Sequence, residues 1–166
     1  MAVSLAAAAV FFPNSRCLAL HIRSTGRAGG RLAALLPLER RDPGFSVSYR
    51  HSVARLPAIE YFRPGRGGTL ELYKTAYQGL GAGLPFTDEG GSMRLEDGWI
   101  VIEGLHRRFP SVTYSPMPLT EHRLRVGRRE VDLAAVAGGR AVTLRLERRS
   151  LLRRLVLWPR MRYIKP

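Results

Sequence analysis

The sequence predicts an all-β domain, an antiparallel β-sandwich or partly open β-barrel with a short C-terminal helix, on three observations. Apolar and polar residues alternate at period two in short windows, most strictly where Phe45, Val47 and Tyr49 are interleaved with Ser46, Ser48 and Arg50. Gly and Pro punctuate the chain at the spacing of hairpin turns. No sustained helical period occurs before Ser150.

Taken in order, Leu18, Leu20 and Ile22 alternate with Ala19, His21 and Arg23, and Gly26 to Gly30 reads as the turn of a first hairpin returning through Arg31 to Leu36. Pro37 to Gly44 is a polar loop before the strand at Phe45. Ala58 to Phe62 and Thr69 to Tyr77 flank Pro64-Gly65-Arg66-Gly67-Gly68, a hairpin connection. Gly79 to Pro85 is an irregular loop. Met93 and Leu95 lead through Asp97-Gly98, a type I′ turn signal, to Trp99–Ile102. Arg123–Val126 and Glu130–Leu133 are joined by a second tight turn at Gly127-Arg128-Arg129, and Val142–Leu146 is the last strand. Eight to ten short strands at this spacing imply a sandwich or a partly closed barrel.

The tail is the one segment expected to be helical, with Ser150 as its cap and Pro159 as its stop or kink. Arg140, Arg145, Arg148, Arg149, Arg153, Arg154, Arg160, Arg162 and Lys165 share this end of the chain with a single acid, Glu147. Interleaved with Leu151, Leu152, Leu155, Val156, Leu157 and Trp158, they suit either an interfacial segment on anionic lipid or a helix packed on its own domain. Arg148, Arg149, Arg153 and Arg154 are the residues such a surface would use.

At 166 residues, 45% hydrophobic and 24% charged, the chain suits one folded core. Its formal charge of +14 is a footprint shared with nucleic-acid binders, but all but two of the 27 basic residues are arginine, a skew that coding bias also produces. Ala2 to Phe12 is an uninterrupted apolar and small-residue run, too short for the ~20 residues that span a bilayer and of signal-peptide length, though no Lys or Arg precedes it. The expected organisation is a hydrophobic leader over 1–16, signal or anchor, an all-β domain over 17–147 and a basic amphipathic tail over 148–166. Cys17 is the only cysteine, so no disulfide forms within the chain, and the spacings of His21, His51, His106 and His122 fit no zinc pattern. No metal and no cofactor are expected.

Two segments are candidates for chemistry. At Tyr49-Arg50-His51-Ser52-Val53, adjacent His and Ser point to opposite sides of a strand and so make a poor nucleophile and base. If the chain turns after Ser52, Glu60 on the next strand can lie across from His51 and bind its ring. This pair reads as a structural bridge, a ligand-binding group or, least well supported, a catalytic pair. In Gln78 to Pro85, Gly79, Gly81 and Gly83 recur at every second position, which lets backbone N–H groups approach an anion, but the run lacks the Lys-Ser or Lys-Thr ending of a P-loop. The alternative is a structural loop that needs positive φ.

Phe45-Ser-Val-Ser-Tyr-Arg-His-Ser-Val53, Pro57, Glu60, Gly81-Ala-Gly-Leu-Pro85 and Glu96-Asp-Gly-Trp99 together resemble the small bacterial and archaeal family called domain of unknown function 1850, over roughly residues 17 to 147. The resemblance implies no enzymatic activity. It implies a hydrophobic leader and encoding beside TRAP-type transporter permeases served by TAXI solute-binding proteins. His51, Ser52, Glu60, Gly81, Gly83 and Pro85 carry over as motif positions without a role. The expected protein is an extracytoplasmic accessory or ligand-binding module, partnered by a transporter or its solute-binding protein. The alternatives are a small hydrolase using His51 with Glu60, and an anionic-surface or nucleic-acid binder using the arginine-rich tail.

Overall fold

The alternating segments form strands in the computed structural model, which describes residues 15–24, 27–39, 41, 43–52, 55–79, 90–149 and 164–165. They are β1 (Ser15–Ser24), β2 (Arg27–Pro37), β3 (Phe45–Arg50), β4 (Pro57–Pro64), β5 (Leu70–Tyr77), β6 (Ser92–Glu96), β7 (Trp99–Phe109), β8 (Val112–Tyr114), β9 (Arg123–Val126) and β10 (Arg129–Asp132). A helix, α1 (Leu133–Ala137), then precedes β11 (Val142–Arg149) and β12 (Ile164–Lys165). All pairings are antiparallel. One sheet runs β2-β1-β11-β8 and the other β12-β10-β9-β3-β4-β5-β7-β6. Neither closes into a barrel, so of the two expected all-β forms the sandwich-like one is found.

The core follows from the alternation. Leu18 and Leu20 of β1, Val142 and Leu144 of β11, Phe45 and Val47 of β3, Phe62 of β4 and Leu124 and Val126 of β9 are buried in one cluster between the sheets. Phe45 and Phe62, directly opposed, stack with ring centroids 5.2 Å apart. A smaller cluster of Ala58, Tyr77, Ile102 and Leu105 extends the core along β4, β5 and β7. Cys17, Ala19 and Leu35 form a third cluster on the opposite face of β1 and β2.

The turns match their sequences. Asp97 (φ 50) and Gly98 (φ 78) are both left-handed, as a type I′ turn requires between β6 and β7. Pro64 to Gly68 joins β4 to β5 through a 3-10 turn. Three expectations change. Gly26 to Gly30 is not all turn, because β2 starts at Arg27, and Gly30 sits at φ 74 where a Cβ would lie 2.5 Å from the Ile22 carbonyl oxygen. Leu133 opens a helix instead of ending a strand. The Asp132 carboxylate accepts from the Ala134 and Ala135 N–H groups at 2.9 and 3.1 Å, and Gly138 closes the helix at φ 55. The strand begun at Trp99 runs on to Phe109 and is followed by β8.

The helix expected from Ser150 falls outside the described residues, as do Arg153, Arg154 and the run Ala2 to Phe12. Arg148 and Arg149 lie in β11, opposite Arg16 and Ser15 of β1. Among the described residues no helix is long and apolar enough to cross a membrane.

Candidate functional site

Ala58, Glu60 and Phe62 alternate along β4 and point toward the opposing sheet, so Glu60 is an acid on an inward-facing position. Its neighbours in register are the core residue Val47 on β3 and the buried Thr75 on β5. An ionised carboxylate there needs partners, and two phenols supply them. Tyr49 of β3 donates to Glu60 Oε1 at 3.3 Å, and Tyr114 of β8 donates to Oε2 at 2.5 Å. Tyr114 belongs to the other sheet, so this hydrogen bond crosses the sandwich.

His122 completes the cluster. It lies one step before β9 on the inward side, its ring stacked on Tyr49 with centroids 5.1 Å apart and edge-on to Tyr114 at 5.6 Å. The Thr120 hydroxyl lies 2.8 Å from His122 Nδ1 and 2.9 Å from the Met117 carbonyl oxygen, which fixes the ring's orientation. Burial lowers the His122 pKa and holds the ring neutral. Burial also raises Glu60 above the usual carboxylate value, against the opposing effect of the Tyr114 and Tyr49 hydrogen bonds. Both tyrosines are pushed up, by burial first and then by the adjacent carboxylate. The result is an interior network whose members occupy one another.

The register sets the expected partner of Glu60 elsewhere. Glu60 lies across from Val47, and His51 is four residues further along, roughly 13 Å of strand. His51 is half-buried at the β3–β4 corner, where its N–H donates to the Leu56 carbonyl at 2.9 Å and its carbonyl accepts from Arg55 at 2.8 Å. Ser52 is exposed beside it. The glycine loop does begin against this corner: Gln78 N–H donates to the Pro57 carbonyl at 3.0 Å, and a Cβ on Gly79 would lie 2.7 Å from Leu56 Cδ1. Gly81, Gly83 and Pro85 lie outside the described residues. Tyr49 opened the candidate segment without a role of its own, and Tyr114, Thr120 and His122 had no place in the sequence reading of the site.

On the outer face of the larger sheet, Glu71 gathers Arg63 at 2.6 Å, His106 at 3.2 Å and Arg108 at 3.3 Å. Arg63 does most to hold its pKa at about 2, against the opposing effect of burial. Among the described residues no group of three or more His, Cys, Asp or Glu is arranged to hold a metal ion.

No curated protein and no solved structure matches the chain. Tyr49, Glu60, Tyr114 and His122 all fall within the stretch that a family model does match, residues 45–133, and on that match the chain belongs to the family described as Domain of unknown function (DUF1850).

Proposed function

We propose that the protein is a non-enzymatic accessory or ligand-binding module that works outside the cytoplasmic membrane alongside a TRAP/TAXI-type solute transporter. The observation that carries the non-enzymatic reading is the occupancy of Glu60. Both of its carboxylate oxygens accept from phenols inside the sandwich, and a general acid or base must instead reach a substrate. The apolar run Ala2 to Phe12 and the genomic setting implied by the family motifs support the location and the partner.

Fractionation of the producing cell tests this. The protein is expected outside the cytosol, co-purifying with a solute-binding protein or permease, and an intact, unprocessed protein found wholly in the cytosol would sink the reading. Replacing His51 and Ser52 together by Ala at this corner is expected to weaken that co-purification while the protein still folds.

A further inference from the structure

The pairing of β1 with β11 sets Arg16 directly opposite Arg148. Directly opposed residues share a face, with Cβ atoms about 5 Å apart, and like charges so placed are destabilising unless something neutralises them. Arg16 and Arg148 lie on the face of Leu18 and Leu146, which looks toward the other sheet. From that side the β4–β5 turn brings Arg66, and the three arginines line one cleft of about 380 Å³ with Leu146 as its apolar portion. That volume falls in the range of small-molecule sites.

An excess of arginine in this chain leaves many cations without acids, so unpaired charge alone means little. What distinguishes these three is convergence. Arg50, Arg63, Arg94, Arg123, Arg125 and Arg145 each have a carboxylate within ion-pair distance. Among the described residues Arg16, Arg66 and Arg148 have none. The one acid on the cleft, Glu147, is opposite Cys17 on the other face of the strand pair, where Oε1 accepts from His21 Nε2 at 2.9 Å and Arg145 Nε at 3.1 Å. Gly67 and Gly68 of the turn have left-handed φ and open space where a Cβ would stand, so a ligand can approach their backbone.

We infer that this cleft binds a multivalent oxyanion, with a phosphate group as the type, held by the guanidinium forks of Arg16, Arg66 and Arg148. The inference rests on the ligand-binding half of the proposed function and is independent of cellular location. An entirely cytosolic protein that bound phosphate here would overturn the location alone.

The test uses the full chain and inorganic phosphate, with sodium chloride at matched ionic strength as the control. Phosphate is expected to raise the melting temperature beyond the chloride control, and Arg66→Ala and Arg148→Ala each to weaken phosphate binding about tenfold or more. Arg16→Ser carries a second signature: it raises the melting temperature of the phosphate-free protein by removing the like-charge pair, while abolishing the phosphate response. A purely structural arginine would do the reverse. Phosphatidylcholine vesicles with and without phosphatidic acid separate the sources. Binding confined to phosphatidic acid vesicles and lost in the same variants assigns the site to a lipid headgroup, and a response to free phosphate assigns it to a soluble ligand. Equal effects of phosphate and chloride together with no binding to phosphatidic acid vesicles, or vesicle binding that survives the replacements of Arg66 and Arg148, would overturn the proposal.

Discussion

Glu60 occupies a place that strand alternation reserves for an apolar side chain, and its value to the fold depends on Tyr49 and Tyr114. Glu60→Ala deprives the buried Tyr114 and half-buried Tyr49 hydroxyls of their acceptor and is expected to destabilise by about 2 kcal/mol, whereas Glu60→Gln keeps an acceptor and a donor in place and is expected to be far milder. The pH dependence has a definite sign. Because the folded-state pKa is raised, the contribution of Glu60 is most favourable below the ordinary carboxylate value of 4.5 and is lost as pH rises through the folded value. Denaturation midpoints of wild type and Glu60→Gln across pH should therefore diverge upward from pH 4.5, and parallel curves would refute the assignment. His122 acts oppositely, its lowered pKa giving stability that is present above 6.5 and lost as pH falls through the folded value, in both proteins alike. The inward position of Glu60 was legible in Ala58-Ile-Glu-Tyr-Phe62. Its partners were not, since the register that puts Val47 opposite depends on how the corner after Arg50 is built, and Tyr114 comes from 54 residues away in the other sheet.

Elements declared themselves in the sequence in proportion to their length and the chemistry of their turns. Asp97-Gly98 marked its hairpin because two adjacent left-handed residues admit few sequences. The three residues of β8 and the five of α1 are too short to display a period, and β7 hides its second half because Arg107 and Arg108 read as loop while Arg108 pairs across the sheet with Glu71. The sign of α1 was its cap. Asp132→Ala is expected to cost about 1 kcal/mol, read from urea denaturation, and Asp132→Asn to recover most of it by keeping the side-chain acceptor. Asn also forfeits the 3.1 Å ion pair with Arg123, but a pair this exposed contributes little. Equal losses for Ala and Asn would assign the effect to the ion pair instead.

The whole molecule carries a formal charge of +14, and its self-repulsion opposes compaction. Raising sodium chloride from low to physiological concentration is expected to raise the melting temperature, since screening relieves long-range repulsion while short ion pairs such as Lys74–Glu103, at 2.9 Å, are affected less. A melting temperature that fell with salt would mean that local pairing outweighs the excess. The sandwich and its hairpin pairs were legible, but the partnering of strands distant in sequence, such as β1 with β11 and β3 with β9, was not, because alternation says which side faces inward and nothing about which strand lies alongside.

That partnering has a consequence in time. β1 lies between β2, its neighbour in sequence, and β11, and the His21–Glu147 contact spans 126 residues. At ordinary translation rates β1 waits on the order of ten seconds for Val142–Arg149 to be made. During that interval Leu18 and Leu20 have no second sheet partner, so the first hairpin must keep its apolar face from other chains until the last strands are made.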